Sequence, residues 1–323
     1  VRRLPEAPAI LEVRHAVRAW LAQYEPAGTV VVALSGGADS LALTAAAVVE
    51  APSVRALVVD HQLQDGSGLV AATAATRALD LGCARADVVP VDVAASGGLE
   101  AAARSARYAA LDAGRGGHPV LLGHTLDDQA ETVLLGLARG SGGRSIRGMA
   151  EYDAPWGRPL LTVRRETTRR ACAELALEPY EDPHNSDPGF ARVRLRTEVL
   201  PLLEDTLGGG VAAALARTAG QLREDGEVLD TLARQALASA RDGDDLLVES
   251  LREIPVAVRR RVLRAWLLDR GAKALTDKQL RAVDDLIGHW RGQGGVAVGG
   301  GGPGVRLVAS RSRGRLSADF VND

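Results

Sequence analysis

Val30-Val31-Val32-Ala33-Leu34-Ser35-Gly36-Gly37-Ala38-Asp39-Ser40 is an apolar run that ends in a glycine pair and two serines. The apolar part is long enough for a buried strand, and Leu41 to Glu50 reads as the helix that follows it. Glycine permits positive φ and close backbone approach to a ligand. N–H groups at a helix start, with the dipole behind them, favour an anion. The loop is not a Walker A motif, because the spacing differs and no lysine precedes the serine. It is not Gly-x-Gly-x-x-Gly either. As a plain βα turn it would use Ser35 or Asp39 only as a cap. An acid beside a bound phosphate needs a cation between them, and Mg²⁺ favours carboxylate plus phosphate oxygens.

The same alternation continues outward. Ala56-Leu57-Val58-Val59, Val88-Val89-Pro90-Val91 and Pro119-Val120-Leu121-Leu122 read as strands, and Leu69 to Leu81, Leu99 to Ala113 and Leu126 to Ala138 as helices. Such alternation implies right-handed crossovers and a parallel sheet covered on both faces. The expected class is α/β with a doubly wound parallel sheet. Ligands of such sheets lie beyond the carboxyl ends of the strands. Those ends are Ser35-Gly36-Gly37, Asp60-His61 and Gly123-His124.

A break follows at Gly140-Ser141-Gly142-Gly143, then mixed helix and polar loop from Arg158 to Leu203. Gly208-Gly209-Gly210 punctuates the chain, and Val211 to Ala240 reads as one long helix. The expected organisation is a catalytic domain over 1–206, a helical connector over 207–245 and a smaller C-terminal α+β domain over 246–323. The last part carries helices Pro255–Arg270 and Asp277–Trp290, then short strands around glycine turns. Gly299-Gly300-Gly301-Gly302 reads as a loop, since no helix follows it.

The 323 residues are 46% hydrophobic and 25% charged, which suits about two globular domains and excludes a disordered or fibrous chain. No run approaches the roughly 18 apolar residues of a membrane span. Val1-Arg2-Arg3-Leu4-Pro5 lacks the apolar stretch of a secretory signal, so a cytoplasmic protein is expected, with no membrane partner. Cys83 and Cys172 make neither a disulfide framework nor a metal-spaced pair. A net charge of −2 leaves any polyanion to local patches. Of 39 basic residues, all but Lys273 and Lys278 are arginine. Genomic base composition accounts for that as readily as phosphate recognition does.

His124, Asp128 and Glu131 stand at i, i+4 and i+7, within about 60° of one another on a helix. Capping accounts for Asp127 and Asp128 in a first turn but not for Glu131 or His124. A shared acidic face suits a second cation or an ammonium.

Ser-Gly-Gly-x-Asp-Ser after a hydrophobic strand resembles the PP-loop of the ATP pyrophosphatases, the adenine nucleotide alpha hydrolase-like enzymes that cleave ATP between the α- and β-phosphates. Further stretches resemble the tRNA(Ile)-lysidine synthetase family. They are Gly123 to Leu135 with Arg139-Gly140-Ser141-Gly142, and Glu100 to Tyr108, where the family carries Arg-x-x-Arg-Tyr. They also include Arg158-Pro159-Leu160-Leu161, Glu181-Asp182-Pro183-His184-Asn185-Ser186-Asp187, Phe190 to Arg196, and Leu200-Pro201. The similarity covers roughly residues 28–205 in the family's order, and more weakly the region from about 250. The length looks like the compact form without an additional C-terminal domain.

The resemblance implies ATP-dependent ligation of free L-lysine to C2 of the wobble cytidine of isoleucine tRNA with a CAU anticodon. Lysidine forms through an adenylated tRNA, with release of AMP and pyrophosphate. Ser35, Gly36, Gly37, Ala38, Asp39 and Ser40 would hold ATP, and Asp39 the Mg²⁺. Arg107 would stabilise charge on the transferring phosphoryl group. Asp128 and Glu131 would hold lysine, and His124 would act as base or hydrogen-bond partner. Arg192 and Arg196 share a helix side and would point into the site.

The tRNA must be held by patches. Arg139 to Arg170 holds eight arginines against Glu151, Asp153 and Glu166, and Arg139, Arg144 and Arg147 are the candidates for tRNA contact. Leu251 to Arg264 sets five arginines against one acid, and the tail adds Arg306, Arg311, Arg313 and Arg315. Each is equally a solvated face. Aromatics are 3% of the chain, so backbone and shape recognition is expected over base stacking. A homodimer is left open. The competing functions are a tRNA 2-thiolase, an ammonia-using synthetase, and a non-catalytic nucleotide-binding regulator. A thiolase needs paired cysteines or an iron–sulfur cluster, and a regulator needs no acidic triad.

Overall fold

The computed structural model describes residues 4–64, 66–92, 99–140, 142–183, 187–302 and 304–322. Ser141 and the His184-Asn185-Ser186 part of the polar loop lie outside the described residues. The chain divides into two compact units, Val1–Gly140 with Ser145–Ala219, and Ser141–Arg144 with Gly220–Asp323.

The first unit begins α1 (Pro8–Tyr24), β1 (Thr29–Ala33), α2 (Ala38–Glu50), β2 (Ser53–Asp60), α3 (Ser67–Leu81), β3 (Arg85–Pro90), α4 (Leu99–Gly114), β4 (Val120–Leu121) and α5 (Leu126–Ala138). The chain then passes through α6 (Gly143–Ile146), which straddles the division of the units, and the first unit continues with β5 (Tyr152–Asp153), β6 (Trp156–Gly157), α7 (Arg165–Glu174) and α8 (Ala191–Arg194). A π-helical turn, Leu195–Val199, then leads into α9 (Leu200–Thr206). The sheet order is β3-β2-β1-β4-β6-β5, parallel except for the β5 edge. The order therefore reverses between β1 and β4, and the crevice beyond their carboxyl ends is the place for a ligand.

Strand β1 explains why its whole run is apolar. Val30 and Val32 pack with α1, α2, α3 and α7, while Val31 and Ala33 pack on the other face with Leu57, Leu111, Val120 and Leu122. A strand buried on both faces has no polar side. The structure adds α1 ahead of the elements expected from Val30 onward. Ile10, Val13, Val17 and Trp20 recur at helical spacing and are all buried, which is the pattern of a core-facing helix. Glu174, at the end of α7, accepts hydrogen bonds from the N–H groups of Ala9 and Ile10 at 3.2 and 2.9 Å. Strands β5 and β6 are too short for periodicity to reveal. Gly157 lies against Trp20, whose indole a Cβ there would overlap.

Helix α10 (Val211–Ala240) is continuous, and the boundary between the units falls within it. The long helix expected over Val211 to Ala240 is present with the same bounds. The second unit adds β7 (Arg241–Asp242), β8 (Asp245–Leu247), α11 (Val248–Arg252), α12 (Val256–Asp269), α13 (Asp277–Gly288), β9 (Val296–Val298), β10 (Val305–Ser312) and β11 (Arg315–Asn322). Its antiparallel sheet, β7-β8-β11-β10-β9, packs around Trp266, Leu246, Leu251, Leu307 and Leu316. The arginine-rich stretch 251–264 is not a bare basic face. Arg259 is buried and pairs with Asp284 at 2.6 Å, Arg260 reaches the same acid at 3.2 Å, and Arg261 pairs with Asp230 at 2.9 Å. Among the described residues no single helix is long and apolar enough to cross a membrane.

Candidate active site

Ser35 to Ser40 carry the chain from β1 into α2. Gly36 has φ +83°, a conformation only glycine adopts without strain. Its carbonyl accepts the Tyr180 N–H at 2.9 Å. The Ser40 hydroxyl donates to the Gly37 carbonyl at 2.9 Å and accepts the Ser35 N–H at 3.2 Å. The loop is therefore held by its own serines. No side chain caps α2, which leaves its first-turn N–H groups and dipole for an anion. Gly123, at the end of β4, closes on this loop. A Cβ there would lie 3.1 Å from the Asp39 carbonyl carbon and the Ser40 nitrogen.

Beside the loop is a cavity of about 310 Å³, the size of a small-molecule site. Leu34, Leu57, Val59 and Val70 form an apolar wall, and Ser35, Asp60, His61, Gln62, Arg107, Tyr180 and Asp182 supply polar groups. Among the described residues nothing accepts a hydrogen bond from the Arg107 guanidinium, and its burial, with Arg104 nearby, lowers its pKa. His61 Nδ1 is also buried without a partner. Burial and Arg107 hold that imidazole below its ordinary pKa. A cavity with an apolar wall, a phosphate loop and the Arg107 guanidinium fits a nucleotide polyphosphate.

Across the β1–β4 crevice lies a network of acids and arginines. Arg165, in the first turn of α7, reaches Asp128 Oδ1 at 2.6 Å, Glu131 Oε1 at 3.2 Å and Asp39 Oδ2 at 3.6 Å. Arg196, in the π turn, donates to Glu131 at 2.8 and 3.2 Å and lies 3.7 Å from Asp128. Thr125 caps α5 in a reciprocal box with Asp128, donating its N–H and hydroxyl to Asp128 Oδ2 at 2.8 Å each. Three carboxylates against two guanidinia leave one negative charge. Burial pushes the Asp128 carboxyl up, but Arg165 and the Thr125 N–H outweigh it, so its pKa ends low. Burial raises the Asp39 carboxyl despite a hydrogen bond from Thr168 and the charge of Arg165. Burial also pushes the His124 imidazole down to about 3, with Arg158 and Arg107 acting against the pull of Asp128. His124 is therefore neutral at physiological pH, and its Nδ1 is buried without a partner.

Mg²⁺ takes one or two carboxylates plus phosphate oxygens. Asp39 suits it: one oxygen is held by Thr168, while the other has Arg165 only at 3.6 Å, beyond hydrogen-bond reach. Among the described residues no three His, Cys, Asp or Glu side chains form a metal cage by themselves.

The PP-loop domain family matches residues 11–203, and the TilS substrate binding domain family matches residues 246–317. The tRNA(Ile)-lysidine synthase of Rhodococcus opacus is 71% identical over 316 residues, covering 97% of each chain. The chain belongs to the tRNA(Ile)-lysidine synthase family. A more distant member, from Mycolicibacterium paratuberculosis, is 63% identical over 286 residues, covering 88% of this chain and 89% of its own. The U34-tRNA thiolase NcsA from Methanococcus maripaludis shares the fold, with 17% identity and a TM-score of 0.55 over 67% of this chain and 80% of that one. Like the rest of its family, the chain is an ATP-using ligase that acts on tRNA.

The structure brings Asp39, Asp128, Glu131 and Arg196 into one network and sets Arg107 in the adjoining cavity. Arg192 instead donates to Thr132 at 2.8 Å. Glu131 is fully buried, with both oxygens on arginines, so α5 does not present it as a bare acid. Of the basic stretch 139–170, Arg164 pairs with Asp127, Arg165 with the acid network, Arg169 with Glu181 and Arg144 with Asp230. Arg165, Thr168 and His61 were not among the expected site residues. The only sequence signal for His61 was its place at the end of a strand.

Proposed function

We propose that the protein joins free L-lysine to C2 of the wobble cytidine of isoleucine tRNA bearing a CAU anticodon. The observation that carries this reading is the pairing, through Asp39, of a phosphate loop and its cavity with a buried network of net negative charge. ATP fits the first and a lysine ammonium the second.

In the first step the cytidine O2 attacks the α-phosphorus of ATP and pyrophosphate leaves. The first-turn N–H groups of α2 and the hydroxyls of Ser35 and Ser40 hold the leaving group. Arg107 donates to the phosphoryl oxygens as their charge grows. Mg²⁺ held by Asp39 would offset the charge on the leaving pyrophosphate. In the second step the lysine ammonium gives one proton to solvent, the resulting ε-amine attacks C2, the C2–O bond breaks with its electron pair leaving on AMP, and the nitrogen releases its second proton to solvent. Asp128 accepts a hydrogen bond from the ammonium as lysine docks. Glu131 acts one layer behind, by placing Arg165 and Arg196. His124, neutral, serves as a hydrogen-bond partner through its open Nδ1.

Arg139, Arg144 and Arg147 are assigned to tRNA phosphates. The exposed Arg144–Asp230 pair is weak enough for a phosphate to replace it. Such a reaction, on tRNA with ATP and free lysine, belongs in the cytoplasm.

Asp128→Asn tests the lysine assignment. Loss of one charged acceptor should raise the lysine concentration needed to resolve adenylated tRNA by roughly 10- to 100-fold. Adenylation should change little, because Asp39 and the loop are intact. Single-turnover trapping of adenylated tRNA followed by a lysine titration measures both. An unchanged lysine requirement would move the lysine pocket elsewhere.

A further inference from the structure

Arg165 takes no part in the two chemical steps, yet it donates hydrogen bonds to Asp128 and Glu131 and lies within ion-pair distance of Asp39, at 3.6 Å. Its Nε, Nη1 and Nη2 face Asp39, Glu131 and Asp128 respectively. Asp39 comes from the phosphate loop, and the other two come from α5. Arg196 also supports Glu131 and Asp128, but no ion pair joins it to Asp39. Among the described residues, Arg165 is thus the side chain whose ion pairs join the two halves of the site.

Its location runs against local preference. A cation in the first turn of a helix opposes the macrodipole. The surroundings compensate: Asp127 accepts the Arg165 N–H at 2.8 Å and pairs with Arg164 at 2.9 Å. A residue retained against its local preference and clamped by neighbours is what a site under functional constraint looks like. The chemistry is also specific to arginine. A planar fork directs donors at fixed angles, whereas a lysine ammonium is a flexible point charge and cannot set the spacing of three carboxylates.

We propose that Arg165 is a positioning residue that keeps the phosphate-loop acid and the α5 acids in register. Cytidine adenylated at the loop is then presented to lysine at the correct distance. The inference rests on the reading of Asp128 as the acceptor for lysine.

The test uses the full chain with Arg165→Lys, which keeps the charge, and Arg165→Gln, which removes it. For each variant, the rate of pyrophosphate release is measured in a single turnover. The kcat and KM for lysine are then measured on trapped adenylated tRNA. Misplacement of reacting groups by about 1 Å costs roughly 100-fold in rate. Arg165→Lys should therefore lower the lysine-step kcat on that order, with lysine KM and pyrophosphate release within a few-fold of wild type. Arg165→Gln should lose KM as well. Arg165→Lys resolving adenylated tRNA at the wild-type rate would overturn the proposal. So would equal loss of both steps in Arg165→Lys, since a merely structural residue gives that result. Asp128→Asn, run in parallel, reads the lysine assignment separately: an unchanged lysine requirement there removes that assignment whatever Arg165→Lys does.

Discussion

Glu131→Gln is expected to lower the unfolding temperature by about 6–12 °C and to lose lysidine formation along with it. The carboxylate is fully buried and takes hydrogen bonds from Arg165 at 3.2 Å and from Arg196 at 2.8 and 3.2 Å. Removing one partner of a buried charge network leaves the others uncompensated, at a cost of about 3–5 kcal/mol. The lower end applies, because the Arg196 side chain is 29% exposed and water screens it. For a unit of this size each kcal/mol moves the midpoint by about 2–4 °C. Thermal unfolding followed by circular dichroism, with the activity assay beside it, measures the effect. An unchanged midpoint with only a raised lysine requirement would show that Glu131 faces lysine directly, as the helix spacing alone suggests.

Asp39→Ala should behave in the opposite way, folding normally but failing to release pyrophosphate. Burial already disfavours the Asp39 carboxylate, so removing it relieves a penalty. Arg165 keeps its two closer partners, Asp128 and Glu131. The catalytic loss is larger. A metal that offsets transition-state charge is worth several kcal/mol, and every 1.36 kcal/mol is tenfold in rate, so a fall on the order of 1,000-fold is expected. The readout is pyrophosphate release from ATP and tRNA, with unfolding temperature as the control. Near-wild-type release by a folded variant would remove Asp39 from the phosphate chemistry.

These two predictions differ because the acids differ in what the sequence could reveal about them. Asp39 is legible in the sequence because its meaning is local: a strand, two glycines and a helix start fall within a dozen residues. The spacing of Asp128 and Glu131 puts both on α5 for the same reason, whereas His124, expected on the same helical face, precedes the Thr125 cap and lies outside the helix. What faces them comes from elsewhere. Arg165 lies 34 residues from Glu131 and 37 from Asp128. A charge count over 139–170 therefore reads it as one more member of a basic patch, and Arg164 and Arg169 with it. The π turn under Arg196 is equally hidden, because a helical pattern in sequence does not mark where the helix widens. In the second unit, Arg259 reads as surface charge until its partner Asp284, on another helix, is seen.

The expected division of labour on α5 shifts accordingly. A helical face of acids suggests an open negative pocket, but both acids are buried: Arg165 and Arg196 enclose Glu131 completely, and Asp128, with Arg165 on one oxygen and Thr125 on the other, is only the less enclosed of the two. For His124 the resemblance leaves two roles open, base or hydrogen-bond partner. Burial and the arginines around it hold its pKa low, which favours the second of these.

The most direct test is mass analysis of the wobble nucleoside. The purified protein is incubated with an isoleucine tRNA transcript carrying a CAU anticodon, with ATP, Mg²⁺ and free lysine, and the tRNA is digested to nucleosides. The wobble cytidine should be replaced by a nucleoside heavier by one lysine less one water, with AMP and pyrophosphate formed in equal amounts. Omitting lysine should leave adenylated tRNA instead. An unmodified wobble cytidine after ATP is consumed, or a cytidine carrying sulfur when a sulfur donor is supplied, would contradict the account.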